Sequence, residues 1–452
     1  MAAAVLAGVL ATALAGCGSS HRGHDDGGGG PPPRPPGTLT VYSDLPVGPA
    51  TGATGVDESV AQQRSIENGA RLALDQSGHT VRYGRPGSRG SFHINYRPLD
   101  DASPTSGQWS QDLTAANAQT AASASTTVAY IGDFASAATA LSLPTLSPAG
   151  ILQISPWSPY VGFTDSNPAN GKGDPARFYP SSGTRDFARL VPSDLGEAEA
   201  IVQYMQTLGV ARLYVLGDVS VFDAAIAQLV ANDAPRAGIT VVGLQPNIDT
   251  QTNTQPRGYG QIVAGVAAAR PDAVMLGGTA GVGAVALWQE LHAKLPDAKL
   301  FAPATLATPG FLEGVAAAGA TCSGPAGATV PCYPAAGATY VTSPILLARQ
   351  YPPSAQAVFR AYRRRFRSAP TVYALYGYAA MEDVLKAIRL TGRFTTDRRR
   401  LLYVFLHHLG HLHGVIGDYT IDGRGDSSLA AFDGYRVNAA GGLKLDREIP
   451  GG

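Results

Sequence analysis

A repeated alternation of short apolar runs with amphipathic segments most constrains the fold of this chain. The strand-like runs at 212–217, 240–244 and 273–278 are each followed by a helix-like segment, at 224–231, 259–269 and 283–295. Parallel neighbouring strands require such crossover helices, and these connections are right-handed. The pattern therefore predicts an α/β protein with parallel sheets. Its 452 residues exceed one ordinary domain and suit two lobes.

Composition and charge exclude several classes of protein. Lys and Arg total 34, as do Asp and Glu, so no excess of positive charge indicates nucleic-acid binding. Hydrophobic residues make up 44% of the chain, enough for a packed core. No uninterrupted apolar run reaches the roughly 18 residues of a membrane-spanning helix, which excludes a polytopic membrane protein. The sequence has no G-x-S-x-G, H-E-x-x-H, P-loop or C-x-x-C motif, so we predict no enzyme activity.

The first residues are typical of an exported protein. Small apolar residues fill 2–16, and L-A-G-C at 14–17 resembles the bacterial lipobox, whose cysteine is acylated and becomes the mature N-terminus. We therefore predict a lipoprotein signal peptide at 1–16 and lipidation of Cys17. Residues 17–37, rich in Gly and Pro, would tether the body to the extracytoplasmic face of the membrane. The alternative is an apolar N-terminus with an incidental cysteine.

The two remaining cysteines are predicted to form a disulfide. If Cys17 carries lipid, Cys322 and Cys332 are left as a pair in an exported protein, where disulfides persist. Closing so short a loop stabilises the fold by roughly 2–3 kcal/mol on the chain-entropy model. Two free thiols remain the alternative, and a metal pair lacks other ligands nearby.

Several short motifs, in order along the chain, resemble one family. They are I-G-D-F-A-S at 131–136, I-S-P at 154–156, F-A-R-L-V-P-S-D at 187–194, and G-V-I-G-D-Y-T-I-D-G-R-G-D at 414–426. In this order and spacing they resemble type I periplasmic solute-binding proteins, and the nearest relatives look like the leucine/isoleucine/valine-binding proteins. The similarity runs from about residue 38 to 440.

The resemblance implies two Rossmann-like lobes with parallel sheets, joined by three crossovers, the type I periplasmic-binding fold. Lobe I would comprise 38–190 and 343–417, and lobe II would comprise 191–342 and 418–452. The implied function is that of a solute-binding lipoprotein of an ABC importer, which captures a small molecule between the lobes for a membrane permease. We expect a monomer without cofactor or metal. A ligand-sensing receptor ectodomain of the same fold is the alternative, and a cell-surface enzyme is a third.

In lobe I the resemblance implies a binding site for a carboxylate of the ligand. The corresponding positions are Ser136, after the first motif, and Ser155, Trp157 and Ser158, in and after the second. Hydroxyls and backbone N–H groups at strand ends are suited to an anion. The serines could instead be ordinary turn residues. Trp157 is larger than the usual residue there, and we expect it to narrow the pocket or stack on the ligand.

In lobe II, Phe222 stands where the family often has a tyrosine, so stacking is expected without the hydroxyl; a core-packing role is the alternative. Amino-acid binders carry an acid after the strand that here ends near Thr305, and a tyrosine where this chain has Thr279. No acidic residue lies next to either threonine in the sequence, so a binding site for the ammonium group of a ligand is predicted to be absent. Asp218 or Asp223 could still approach from a neighbouring turn. We therefore predict a preference for small carboxylates, amides or aromatic acids over leucine, isoleucine or valine.

Other motifs are interpreted as structural. The G-V-G-A-V-A run at 281–286 lacks the acid that a dinucleotide site needs after the next strand. His407 and His411 could form a metal pair, but no local carboxylate or cysteine completes it. The arginine runs at 363–367 and 398–400 are usually solvated, although one could contact a membrane surface or a permease. The R-G-D at 424–426 lies in the family's tail motif, where we expect a turn.

Overall fold

Strands and helices alternate through two lobes, each built on its own sheet. The computed structural model describes residues 37–51, 58–84, 89–166, 174–179, 184–251, 258–317, 322–323, 329–330 and 334–451. Pro35–Gly452 forms one compact unit. The predicted class, α/β with parallel-dominated sheets in two lobes, is confirmed.

Lobe I is built on a six-stranded sheet of order β2-β3-β1-β4-β5-β6, in which only β2 is antiparallel to its neighbour. Its strands are β1 Gly37–Asp44, β2 Thr80–Tyr83, β3 Gly90–Leu99, β4 Thr127–Ile131, β5 Leu152–Ser155 and β6 Phe187–Arg189. The helices along this part of the chain are α1 Glu58–Gln76, α2 Gln111–Ser123 and α3 Ser136–Leu146.

Lobe II is built on a seven-stranded sheet of order β17-β16-β13-β10-β9-β7-β8. Its strands are β7 Arg212–Asp218, β8 Thr240–Ile248, β9 Ala273–Gly277, β10 Lys299–Ala302, β13 Thr339–Ser343, β16 Phe432–Val437 and β17 Leu443–Ile449. The last two pair antiparallel at the edge. The helices here are α4 Asp194–Thr207, α5 Ala225–Asp233, α6 Gly260–Ala268, α7 Val282–Lys294 and α8 Pro309–Ala316. A separate two-stranded pair joins β11 Cys322–Ser323 to β12 Thr329–Val330.

The chain crosses between the lobes three times. It leaves lobe I after β6, returns after β13, and leaves again after β15. The returning segment comprises α9 Pro353–Phe366, α10 Ala374–Thr391, α11 Arg398–His408, β14 Leu412–Gly414 and β15 Gly417–Tyr419, and its apolar side chains join the core of β1, β3, β4 and β5. Helix α10 packs against α1 so closely that a Cβ on Gly69 would lie 2.0 Å from the Ala374 carbonyl oxygen. The exact lobe boundaries stay a prediction.

An ion pair with a buried arginine joins the first and third crossovers. Arg189, in β6, is fully buried, and its Nε donates to the Asp426 carboxylate at 2.8 Å. Its other nitrogens donate to the Ser158 and Tyr160 carbonyls and to the Thr164 hydroxyl. These bonds compensate the guanidinium for the loss of water. The turn expected at 424–426 is present, because Asp422 accepts from the Asp426 amide.

Candidate binding cleft

The candidate site lies where the carboxyl ends of the two sheets face each other. In lobe I, β4 ends at Ile131 and β5 at Ser155, and in lobe II, β7 ends at Asp218. The loops beyond these ends meet, since the rings of Tyr160 and Phe222 lie 5.1 Å apart between centroids. Ligands of open α/β sheets bind at such strand ends.

Ser136 begins helix α3 directly above the end of β4. The tight turn before it requires Gly132, whose φ is +146° and whose Cβ would lie 2.6 Å from the Asp44 carbonyl oxygen. The Ser136 hydroxyl accepts a hydrogen bond from the Tyr160 amide at 3.3 Å and keeps its own hydrogen to donate. The first N–H groups of a helix have no partner within it, and they carry partial positive charge. This helix end is therefore suited to a carboxylate.

Ser155 and Ser158 are fully buried, and their hydroxyls are engaged within lobe I. The Ser155 hydroxyl donates to the Asp133 carbonyl at 2.6 Å and accepts from the Trp157 amide at 3.1 Å. The Ser158 hydroxyl lies 2.6 Å from that of Thr139. In this conformation both serines shape the loop that presents Trp157. Their contact with a ligand stays a prediction.

Trp157 belongs to an aromatic cluster beside Ser136. Its ring stacks on Phe134 with centroids 5.5 Å apart and 9° between the planes. Tyr373, just before α10, lies 5.9 Å from both rings. Sequence analysis missed the two partners. Phe134 could have been found, since it follows β4 as Trp157 follows β5, whereas Tyr373 is brought here only by the chain's return to lobe I.

Thr279 and Thr305 are brought together at the strand ends of lobe II. The Thr305 hydroxyl donates to the Gly278 carbonyl at 2.7 Å, and the Thr279 hydroxyl accepts from the Gln251 side-chain amide. Both threonines are half-buried. Gly278 lies between the end of β9 and Thr279. No side chain fits at this position, because a Cβ would lie 2.3 Å from the Asp218 carboxylate.

Of the two acids that the sequence left open, Asp218 does lie beside these threonines in the fold. Asp218, at the end of β7, accepts a hydrogen bond from the Thr279 amide at 2.9 Å and is 2% exposed. It also accepts from the Ser220 amide, the Gln251 amide group and the Thr250 hydroxyl. Burial raises its pKa, which these hydrogen bonds oppose. The acid is present, and it already accepts four hydrogen bonds from the protein, three on Oδ2 and one on Oδ1.

Asp223, the other acid that the sequence left open, contacts a different group. It accepts from the Ser220 hydroxyl at 3.1 Å, and burial raises its pKa to about 6. Its neighbour Phe222 packs with the rings of Tyr160, Phe163 and Phe178 in lobe I. The structure does not bring the Phe222 ring onto Trp157; it places the ring at the contact between the lobes, 5.8 Å from the Arg177 guanidinium.

Three buried aspartates lie at the carboxyl edge of the lobe I sheet. Asp44, Asp101 and Asp133 each place one carboxylate oxygen within 4.8 Å of the others, close enough to share a metal ion. The Tyr130 hydroxyl lies 2.8 Å from Asp44 and 3.0 Å from Asp133. Burial, with repulsion from the other two, raises the pKa of Asp44 to about 9, so this carboxyl is protonated at neutral pH. The cluster also accepts hydrogen bonds from the Asn117 side chain, on Asp44, and from the Ser142 hydroxyl, on Asp133.

The predicted lipidation and disulfide residues are not placed. Cys17, Cys332 and the side chain of Cys322 lie outside the described residues. Within the described part of the chain, no helix is both long enough and apolar enough to cross a bilayer.

Comparison with known proteins decides the family. The sequence profile described as periplasmic binding protein matches residues 45–441. The chain belongs to the periplasmic binding protein family. The resemblance inferred from the motifs is thereby confirmed, as is the role of a solute-binding protein. A comparison with curated protein sequences gave no match.

Solved structures of this family share the fold of the chain. A leucine binding protein from Thermotoga maritima has a TM-score of 0.65 at 17% identity and covers 91% of this chain and 99% of its own. A solute-binding protein from Desulfitobacterium hafniense, in complex with Leu, has a TM-score of 0.63 at 19% identity, covering 90% and 99%. One from R. palustris, in complex with benzoate, has 0.61 at 15%, covering 92% and 97%. At these identities the likeness concerns the fold alone.

Proposed function

We propose that this periplasmic binding protein captures small carboxylates that lack an α-ammonium group and delivers them to an ABC permease. The observation that carries the proposal is the unequal chemistry of the two strand-end clusters. Lobe I offers a helix N-terminus to an anion, whereas the acid of lobe II is 2% exposed and already accepts four hydrogen bonds from the protein.

In lobe I the carboxylate would lie at the start of α3. The Ser136 hydroxyl and the first backbone N–H groups of the helix would donate to its oxygens. The cluster of Trp157, Phe134 and Tyr373 would contact the apolar part of the solute. Flat rings pack well against an aromatic or branched aliphatic body.

In lobe II an amino acid would meet an unfavourable site. Its ammonium would need the Asp218 carboxylate, which the Thr279 amide and Gln251 already occupy. Desolvating an ammonium without a partner costs several kcal/mol. A keto acid or benzoate has no such requirement, and the hydroxyls of Thr279 and Thr305 would suffice for a neutral polar group. Benzoate, bound by the R. palustris protein, is a carboxylate of this class.

The placement at the membrane is part of the same proposal. Acylation of Cys17 would hold the protein on the extracytoplasmic face near its permease, and the tether at 17–37 would separate the anchor from the body. A disulfide between Cys322 and Cys332 would close the short loop between them.

A thermal-shift screen with matched variants tests the carboxylate site. Benzoate and 4-methyl-2-oxopentanoate should raise the melting temperature, and Ser136→Ala should reduce each shift by at least half because one donor to the carboxylate is lost. The control is Ser77→Ala, which removes a hydroxyl that donates to the Leu74 carbonyl at the end of α1. Equal shifts in both variants would contradict the role of Ser136.

A further inference from the structure

An exposed patch of arginines and apolar side chains lies on lobe I, outside the cleft. Leu390, Phe394 and Tyr403 are 52%, 42% and 57% exposed, although all three are large apolar side chains. Together with Arg399 and Arg400 they line a surface groove between the end of α10 and α11. We call these residues, with Arg393, the arginine–aromatic patch.

The patch combines positive charge with an aromatic ring in one place. The guanidinium groups of Arg400 and Arg393 lie 4.3 and 4.7 Å from the centre of the Phe394 ring. Asp397 pairs with Arg400 at 3.4 Å and caps α11. Among the described residues, no carboxylate lies within ion-pairing distance of Arg393 or Arg399. The patch therefore carries a net positive charge.

The patch lies at the amino-terminal edge of the lobe I sheet, opposite the cleft. Helix α11 begins at this edge. Its first residue, Arg398, donates side-chain hydrogen bonds to the carbonyls of three residues that lie before or at the starts of β4 and β5, namely Ala124, Thr127 and Ala149. The cleft is at the other end of the same strands.

The chain enters the folded body at the same edge. Strand β1 begins at Gly37, where a Cβ would lie 3.1 Å from the Phe92 ring. Phe92 stacks on Tyr83 with centroids 5.2 Å apart. A Cβ on Gly392, two residues before Phe394, would in turn lie 3.4 Å from the Tyr83 ring. Two stacked rings thus bridge the start of the body and the patch.

We propose that the arginine–aromatic patch docks on an anionic phospholipid surface. Arginines bind lipid phosphates, and exposed Leu, Phe and Tyr side chains suit the boundary between headgroups and acyl chains. Which side of the body faces the membrane is inferred from the proposed lipid anchor at Cys17. The 20 residues from 17 to 36 span at most about 70 Å, so an anchored body would keep this edge within that distance of the bilayer.

Vesicle co-sedimentation tests the docking without the lipid anchor. The probe is the chain from position 17 carrying Cys17→Ser, which retains the whole compact unit Pro35–Gly452 and lacks the apolar residues 2–16. It is mixed with phosphatidylcholine vesicles, with or without one third phosphatidylglycerol. We expect binding to the anionic vesicles alone, weakened as salt is added.

Matched charge reversals locate the binding surface. Arg393→Glu with Arg399→Glu should weaken binding to anionic vesicles at least about tenfold. The control, Arg236→Glu with Arg270→Glu, makes the same change of charge at two exposed positions of lobe II and should retain binding. No binding by the parent chain, or an equal loss in both variants, would overturn the proposal. Solute-induced thermal shifts, measured on the same samples, report the cleft separately, so failure of either proposal is recognised by itself.

Discussion

At the scale of single residues, the buried aspartates give the protein a definite dependence on pH. The pKa of Asp44 is raised to about 9 and that of Asp133 to about 7, chiefly by burial. The folded state therefore holds protons that the unfolded chain releases above about pH 4. The contribution of these two carboxyl groups to the stability of the fold is fully present below that pH. It falls as the pH rises toward the folded pKa values, by about 1.4 kcal/mol per pH unit for each group that stays protonated.

Asp44→Asn should make stability less dependent on pH. The amide resembles the protonated carboxyl and can keep the hydrogen bond from the Asn117 side chain, but it cannot ionise. Between pH 5 and pH 8.5 the melting temperature of the variant should fall by about 5 °C less than that of the parent. Differential scanning calorimetry at the two pH values measures this. Asp297→Asn, at an exposed position, is the control, and a variant that follows the parent's pH dependence would refute the account.

The residues of the site show what sequence reasoning could reach. Strand-end position and residue type identified four candidate residues that the structure places at the strand ends, namely Ser136, Trp157, Thr279 and Thr305. Sequence could not tell that the hydroxyls of Ser155 and Ser158 are engaged within their own lobe, because the carbonyl and hydroxyl that they contact lie more than ten residues away. For the same reason, only the fold places Asp218 beside Thr279, 61 residues further along the chain.

At the scale of elements, local patterns predicted most strands and helices of the parallel sheets. The strand predicted at 212–217 is β7, and the helix predicted at 259–269 is α6, each within one residue at either end. Helix α3 was missed because its small residues and internal Pro144 give a weak helical pattern. The edge strands β16 and β17 were missed because they are stabilised by pairing with β13, far away in sequence.

The turn of the third crossover depends on Gly425. Its φ is +98°, and a Cβ would lie 1.9 Å from the Phe187 carbonyl oxygen in β6. Gly425→Ala should lower the free energy of unfolding by about 3 kcal/mol or more, measured by urea denaturation. Gly238→Ala is the matched control, since φ is +79° there but a Cβ would meet no atom within 4 Å. Equal losses in the two variants would show that backbone strain alone, and not the contact between crossovers, sets the cost.

At the scale of the whole molecule, the order of the motifs was more informative than any one of them. Together they predicted the family and the architecture of two lobes, and both are confirmed. How the lobes meet could not be predicted, because it depends on contacts between distant loops. The packing of Phe222 against Tyr160 is such a contact. Phe222, which was expected to stack on the solute, therefore lies at the contact between the lobes.

The central claim is that the cleft selects a carboxylate without an α-ammonium. Isothermal titration of leucine against 4-methyl-2-oxopentanoate tests it directly, because the two solutes share the same side chain and carboxylate. We predict that the keto acid binds at least about tenfold more tightly, since only leucine must desolvate an ammonium beside the occupied Asp218. Tight binding of leucine with no binding of the keto acid would contradict the account.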